Sequence, residues 1–266
     1  MKTIFDINFA TLYHQHLASC QNHHISAEKW DAKAEKMAKH LVEKTDFYTE
    51  TLLQLINAQP NETILDIGCG PGTLSLPLAK QCRHVYALDY SQGMLSVLAN
   101  YQQRLNLSNI TPIHTAWEEN WQHIPTTDIV IASRSTLVND LDDAIDKITQ
   151  KARKRVYLTA ITQPSFLDPD LFTAIGRQPS GFPTYIYWLN RLYQRGIQAE
   201  VHFIDTQISH YQGESYLDLL KSVEFTLGQL TENEKICLKN FYNERIKSQQ
   251  PIKHGQQKWA LISWKI

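Results

Sequence analysis

The middle of the chain alternates between short apolar runs and segments with the spacing of amphipathic helices. The apolar runs that have the length of buried strands are residues 63–67, 84–88, 110–114, 128–132 and 155–159. The segments with helical length and pattern are residues 73–81, 92–105 and 141–151, whereas residues 115–127 have the composition of a loop. Alternation of strands and helices predicts βαβ units and a parallel sheet.

The two flanks of this region have different patterns. Residues 1–60 are predicted to be helical, with one helix that opens at Trp30 and a second at 47–56. Beyond residue 162 the prolines predict a loop with a short helix near 171–175, followed by an aromatic helix at 185–193. The remaining predicted elements are a strand at 200–207, helices at 216–223 and 232–246, and a last strand at 258–266. The pattern therefore predicts a helical N-terminal cap (1–60) and an α/β domain (61–266) with an aromatic-rich insertion at about 163–198.

Composition and charge disfavour several classes of protein. The chain has 266 residues, 42% of them hydrophobic, and a formal net charge of −1 without a basic block, which argues against a nucleic-acid partner. The four cysteines are scattered without CxxC spacing, so neither disulfides nor a metal site is expected. Neither a signal peptide nor an apolar run of about 20 residues is recognisable, and we expect a cytoplasmic protein without a membrane segment.

A glycine loop is the strongest chemical signal in the sequence. The apolar run at 63–67 leads into Gly68, Gly70 and Gly72, and a predicted helix follows directly. Glycine tolerates positive φ and has no Cβ, so the backbone there can turn sharply and approach a ligand closely. Such a loop lies at the carboxyl end of a strand, where open α/β sheets bind their ligands.

Two carboxylates indicate what kind of ligand this loop binds. Asp66 stands two residues before the first glycine, and a negative charge there suits a ligand with a cationic amino-acid tail better than a pyrophosphate. The spacing GxGxG, with Thr73 at the place of a third glycine, also departs from the dinucleotide pattern GxGxxG. Asp89 ends the second predicted strand, where a carboxylate can accept hydrogen bonds from ribose hydroxyls.

The blocks ILDIGCGPGTLSLPLA and VYALDYSQGML resemble the first two motifs of class I S-adenosylmethionine-dependent methyltransferases. The resemblance implies a doubly wound, Rossmann-like sheet of seven strands that are mostly parallel. The last strand, 258–266, is antiparallel and pairs with the strand at 200–207. It implies S-adenosyl-L-methionine as cofactor. The cofactor-binding residues that it implies in these blocks are Asp66, Gly68, Cys69, Gly70, Gly72, Asp89, Tyr90 and Met94.

The resemblance extends, less specifically, to the third and fourth strands. Trp117 and Glu118 follow the third strand and are candidates for contacts with the adenine. Ser133 and Arg134 lie at the tip of the fourth strand, at the edge of the cofactor beside the transferable methyl group. Trp117 could instead be a core residue and Arg134 an ion-pair residue. Cys69 is interpreted as a small packing residue rather than a nucleophile.

The acceptor site is expected between the N-terminal helices and the insertions after the fourth and fifth strands. The candidates for substrate binding are Trp30, Arg134, Tyr185, Trp188 and His210. The aromatic insertion could line the pocket of a small substrate, pack as an ordinary subdomain or form a homodimer interface. His23 and His24 beside Cys20 lack a second half of a metal site. No catalytic residue is assigned.

The sequence thus predicts a methyltransferase that acts on a small molecule. The tip of the fourth strand reads Ala-Ser-Arg-Ser instead of the Asn/Asp-Pro-Pro-aromatic block of nucleic-acid amino methyltransferases, which favours a small acceptor. Two alternatives remain open: an NAD-type dinucleotide oxidoreductase, and a module that binds S-adenosylmethionine without catalysis.

Overall fold

The predicted strands form one sheet in the computed structural model, which describes residues 3–20, 26–43, 46–178, 181–206, 215–252 and 258–266. In these residues the strands are β1 (Thr63–Ile67), β2 (His84–Asp89), β3 (Ile110–His114), β4 (Thr127–Ser133), β5 (Ala152–Ile161), β6 (Glu200–Asp205) and β7 (Lys258–Lys265). The strand order is β3-β2-β1-β4-β5-β7-β6. Strands β1 to β5 pair in parallel, whereas β7 runs antiparallel to both β5 and β6. The predicted fold and its antiparallel last strand are therefore confirmed.

Helices surround this sheet and occupy the N-terminal region. In the described residues they are α1 (Phe9–Ser19), α2 (Ala27–Glu43), α3 (Phe47–Ile56), α4 (Ser75–Ala79), α5 (Gln92–Arg104), α6 (Leu141–Lys151), α7 (Pro169–Ile175), α8 (Tyr185–Gln194), α9 (Tyr216–Leu227) and α10 (Glu232–Lys247). None of them is long and apolar enough to cross a membrane.

Two predicted helices differ from the observed ones at their ends. The α2 helix begins at Ala27 rather than at Trp30, and the negative charge of Glu28 in its first turn is favourable at a helix N-terminus. The α4 helix spans only five residues instead of the predicted 73–81. Its Pro77 has no backbone N–H, and the segment ahead of it forms turns that close the glycine loop.

The apolar faces of the helices bury both sides of the sheet. On one side, Tyr13 of α1, Ile145 of α6 and Trp188 of α8 pack against the sheet. On the other, Leu52 of α3 and Leu98 of α5 pack against it. Because α1 and α3 share these two cores with the strands, the boundary of an N-terminal cap at residue 60 stays a prediction.

The helices α7, α9 and α10, which follow β5 in the sequence, form a third apolar cluster. Its apolar centre includes Leu171, Val223 and Leu238, all buried. Arg177 ties the cluster together, because its guanidinium donates two hydrogen bonds to the Glu234 carboxylate at 2.5 and 3.0 Å.

A carboxylate attaches α2 to the first turn of α5. Asp31 Oδ1 accepts hydrogen bonds from the Ser91 hydroxyl at 2.6 Å and from the Gly93 backbone N–H at 2.8 Å. Negative charge is favourable there because the first N–H groups of a helix lack partners within the helix. A Cβ on Gly93 would lie 2.9 Å from the Asp31 Cα, so the two helices approach this closely only with glycine at that position.

We expect Gly93→Ala to loosen α2. Alanine normally stabilises a helix interior by about 1 kcal/mol relative to glycine, so an isolated α5 would gain stability. Here the added methyl group displaces Asp31 and breaks hydrogen bonds to a charged group, each worth about 1.5–3 kcal/mol. Amide hydrogen exchange in residues 27–35, followed by mass spectrometry, should become at least about tenfold faster.

The matched control is Asn100→Ala, at an exposed position of the same helix. It should leave the exchange of α2 unchanged. Equal exchange of residues 27–35 in Gly93→Ala and in the wild-type protein would contradict the close approach of the two helices.

Candidate functional site

The glycine loop turns at the carboxyl end of β1. The backbone N–H groups of Gly68 and Cys69 both donate to the Leu88 carbonyl of β2, at 2.7 and 3.0 Å. Gly68 and Gly70 have positive φ values of 66° and 56°, which side-chain-bearing residues rarely adopt. The sequence motif therefore folds into the sharp turn that was predicted.

The three glycines are required for different reasons. A Cβ on Gly68 would lie 2.4 Å from the Ser135 Cβ, and one on Gly72 would lie 2.5 Å from Leu98 Cδ1. Both positions are therefore fixed by packing. A Cβ on Gly70 would meet no atom within 4 Å, so Gly70 is the glycine that leaves open space for a ligand.

Asp89 joins the glycine loop to the end of β2. Its Oδ2 accepts from the Gly70 N–H at 2.8 Å, and its Oδ1 accepts from the Ser91 N–H at 2.9 Å. Burial raises the pKa of Asp89, and backbone hydrogen bonds from Ser91, Gly70 and Tyr90 oppose that rise. A carboxylate has about four acceptor positions, so Asp89 can still accept a hydrogen bond from a ligand hydroxyl.

Asp66 is a second buried carboxylate behind the same loop. Its Oδ2 accepts a hydrogen bond of 2.6 Å from the Ser75 hydroxyl. Burial raises its pKa to about 6; the Ser75 hydrogen bond opposes this rise and the negative charge of Asp89 adds to it. Burial, together with the charges of Asp66 and Asp89, also raises the pKa of the Cys69 thiol, which supports its interpretation as a packing residue.

Tyr90, directly after Asp89, contacts the N-terminal helix α2. Trp30 of α2 forms a side-chain hydrogen bond with Tyr90. Burial, followed by the charge of Asp89, raises the pKa of Tyr90 to about 12, so its hydroxyl stays protonated at neutral pH. Met94 is buried in the first turn of α5. Trp30 and Tyr90, which are far apart in the sequence, thus meet beside Asp89.

The loop after β3 contacts the segment after β4 rather than standing free. The Trp117 indole N–H donates to the Ser135 carbonyl at 3.0 Å, and its ring stacks on Trp121 with centroids 5.2 Å apart. Glu118 is exposed, and its Oε1 accepts from the Asn139 amide at 2.7 Å. Trp117 therefore has packing contacts, which agrees with its interpretation as a core residue; its contact with the adenine stays a prediction.

Three hydroxyl groups meet at the tip of β4. The Tyr48 hydroxyl of α3 lies 2.8 Å from Ser133 Oγ and 2.7 Å from Thr159 Oγ1 of β5. Thr159 Oγ1 also accepts from the Arg134 backbone N–H at 2.9 Å. Ser133 and Arg134 are candidates predicted from the sequence, but Tyr48 and Thr159 are not, because a lone Tyr or Thr has no local sequence signature.

The other substrate candidates are placed differently. Trp188 is 1% exposed, and its indole N–H donates to the Thr136 carbonyl, so it is a core residue and not a wall of a site. Tyr185 packs edge to face on Phe203 of β6, which is the edge strand of the sheet. His210, His23 and His24 lie outside the described residues. Elsewhere in the chain, wherever the structure describes it, no three His, Cys, Asp or Glu side chains could hold a metal ion.

Comparisons with known proteins agree with this geometry. A family model described as a methyltransferase domain matches residues 64–156. The chain is 56% identical over 264 residues to an uncharacterized protein of Haemophilus influenzae, covering 99% of this chain and 98% of that protein. It is 33% identical over 54 residues to a probable cobalt-precorrin-6B C(15)-methyltransferase of Methanocaldococcus jannaschii, a match that covers 20% of this chain and 30% of that protein.

Solved structures share the fold at low sequence identity. The YcgJ protein of Bacillus subtilis has a TM-score of 0.58 and 16% identity, over 82% of this chain and 97% of that one. A methyltransferase of Geobacter sulfurreducens, solved with S-adenosyl-L-homocysteine, has a TM-score of 0.51 and 12% identity, over 87% and 96% of the two chains.

The chain belongs to the class I S-adenosylmethionine-dependent methyltransferase family. Its cofactor is S-adenosyl-L-methionine. The alternative of an NAD-type oxidoreductase is therefore dropped. The residues present fit this group, because Gly70 leaves room for it and Asp89 retains acceptor capacity for a ribose hydroxyl.

We expect Asp66→Asn to stabilise the protein without cofactor at neutral pH. The pKa of Asp66 rises from 3.8 to about 6 on folding, so its contribution to stability is present below pH 4 and lost as the pH rises through 6. Asparagine stays neutral and avoids this loss, which is at most about 3 kcal/mol at 1.36 kcal/mol per pKa unit. Denaturant unfolding at pH 5 and pH 8 measures the difference.

Asp128 provides a matched control at the opposite end of the sheet. Burial alone would raise its pKa, but hydrogen bonds from Thr63, Arg153 and Lys154 outweigh burial and hold the pKa well below the usual range. Asp128→Asn should therefore lower the unfolding free energy at pH 8. If Asp66→Asn also lowered it there, the raised pKa of Asp66 would be refuted.

Proposed function

We propose that this protein transfers a methyl group from S-adenosylmethionine to a small-molecule acceptor, with Asp89 on the ribose and Gly70 beside the methionine part. The observation that supports the small-molecule assignment is a cavity of about 190 Å³ beside the segment that follows β5. It is lined by Cys20, which directly follows α1, and by residues of α7, α9 and the insertion, among them Phe172, Phe182 and Thr226. Ligand pockets for drug-sized molecules have volumes of about 300–1,000 Å³, so this cavity suits a smaller group.

Aromatic side chains connect the tip of β4 with this cavity. The Arg134 guanidinium lies 5.5 Å from the centroid of the Trp259 ring. The Phe166 ring lies 6.3 Å from both the Trp259 and the Phe182 rings, and Phe182 lines the cavity. An acceptor bound along this row would have one end at the β4 tip, and the apolar rings would exclude water from the reaction.

The part of the site that would bind the methyl donor is suited to a positively charged ligand. Bound S-adenosylmethionine supplies a methyl carbon on a positively charged sulfur, which keeps the electrons of the broken bond as the acceptor's lone pair forms the new one. Asp66 and Asp89 place two buried carboxylates behind the loop that receives this positive ligand. Holding donor and acceptor in line can supply much of the rate by itself.

The hydroxyls at the β4 tip are suited to orient groups rather than to remove a proton. Burial raises the pKa of Tyr48, while the nearby Arg134 charge and the hydrogen bonds to Ser133 and Thr159 lower it in part. Tyr48 is therefore a neutral phenol at physiological pH. An acceptor with its own free lone pair, such as an amine, needs no more than this.

The acceptor class is tested with a cell extract divided by size. The purified protein is incubated with S-adenosylmethionine carrying an isotope-labelled methyl group and with either metabolites below about 1 kDa or the macromolecules. We expect label in the metabolite fraction. Asp89→Ala should lose it, because removal of hydrogen bonds to a charged group, worth about 1.5–3 kcal/mol each, weakens cofactor binding. Arg83→Ala, which alters an exposed residue at the other end of β2, should retain it.

Two results would contradict the proposal in different ways. Label in RNA or protein alone would exclude a small acceptor. S-adenosylhomocysteine binding without transfer to either fraction would favour the remaining alternative, a module that binds the cofactor without catalysis.

A further inference from the structure

We propose that the acceptor carries a carboxylate and that the Arg134 guanidinium binds it; this inference rests on the proposed function. Arg134 is the first residue after β4, at the edge of the sheet where the glycine loop and Asp89 also lie. Several independent features of this side chain point to a ligand.

The backbone of Arg134 is held in an unfavourable conformation. Its φ is +56°, a left-handed value that few residues other than glycine and asparagine adopt. The hydrogen bond from its N–H to Thr159 Oγ1 and the adjacent contact of Ser133 with Tyr48 stabilise this conformation. Residues held in such sparsely populated conformations concentrate at ligand sites.

The guanidinium is positioned but lacks strong partners among the described residues. Its central carbon lies over the Tyr48 ring, 3.7 Å from the centroid, and this cation–π contact holds the group in place. Its nearest carboxylate oxygen, Asp46 Oδ2, is 3.9 Å away, and both side chains are more than one-third exposed. An ion pair this long between exposed side chains contributes little to stability and does not occupy the fork of N–H donors.

The position of the guanidinium indicates that it contacts the methyl acceptor rather than the methyl donor. In the sheet, β4 separates β1 and β2 on one side from β5 and β7 on the other. Arg134 stacks on Tyr48, which is hydrogen bonded to β5, and it lies near Trp259 of β7. The glycine loop and Asp89 belong to β1 and β2, so the cation faces the aromatic row rather than the donor site.

This arrangement matches a carboxylate better than a neutral group. A guanidinium binds a carboxylate through two parallel hydrogen bonds, which fixes both position and orientation. An acceptor anchored there would extend its apolar or aromatic part along Trp259, Phe166 and Phe182. The predicted acceptor is thus a small organic acid with an apolar body.

The test uses the metabolite fraction as the acceptor source. Half of it is treated with a carbodiimide and excess ammonia, which converts carboxylates to amides. Methyl transfer by the wild-type protein should fall at least tenfold after this treatment. Unchanged transfer to the amidated fraction would overturn the carboxylate, whereas no transfer to either half would count against the proposed function itself.

Variants at residue 134 test the role of the guanidinium. Arg134→Asn keeps a residue that tolerates left-handed φ but removes the charge. It should need at least tenfold more extract for half-maximal transfer, with a smaller change in maximal rate, and Arg134→Lys should recover part of the loss. Arg83→Asn, at an exposed position, is the control.

Calorimetric titration with S-adenosylhomocysteine separates the acceptor from the donor. Arg134→Asn should bind it within about twofold of the wild-type affinity. A tenfold or greater loss would mean that Arg134 binds the carboxylate of the donor, and the proposal would be wrong.

Discussion

One buried carboxylate holds the candidate site in place. Asp89 accepts one hydrogen bond from the glycine loop after β1 and another from the first turn after β2, and so fixes two loops that come from neighbouring strands. The same turn of α5 binds Asp31 through Ser91 and Gly93, which adds the N-terminal helix α2. The position of Trp30 beside Tyr90 depends on this chain of contacts. Because Asp89 lies where two of these segments meet, it is also well placed to form hydrogen bonds with a ligand.

The local parts of this arrangement could be predicted from the sequence. Residues 63–67 match the observed β1, because a strand buried on both faces is a continuous apolar run. Residues 110–114 also match an observed strand, although β3 lies at the edge of the sheet and is mostly exposed. Asp66, Gly68 and Asp89 were found because they lie within or next to one strand–loop–helix unit. Helix ends were less certain: α4 is short because Pro77 and the turns of the glycine loop leave little room for regular helix.

The contacts that the sequence could not predict join distant parts of the chain. Tyr48 lies 85 and 111 residues from the two hydroxyls that it contacts, and Asp31 lies 60 residues from Ser91. No local pattern marks such pairs, because they depend on how the elements pack. Aromatic content misled in the same way: Trp188 resembled a wall of a substrate site, yet it fills the core, where its indole N–H is satisfied by a backbone carbonyl.

The most direct test of the donor site is a crystal structure with S-adenosylhomocysteine bound. Our account predicts both ribose hydroxyls within hydrogen-bonding distance of the Asp89 carboxylate, about 2.5–3.0 Å. It also predicts the homocysteine part next to Gly70. A nucleoside bound away from Asp89, or Asp89 oxygens without a ligand contact, would contradict it.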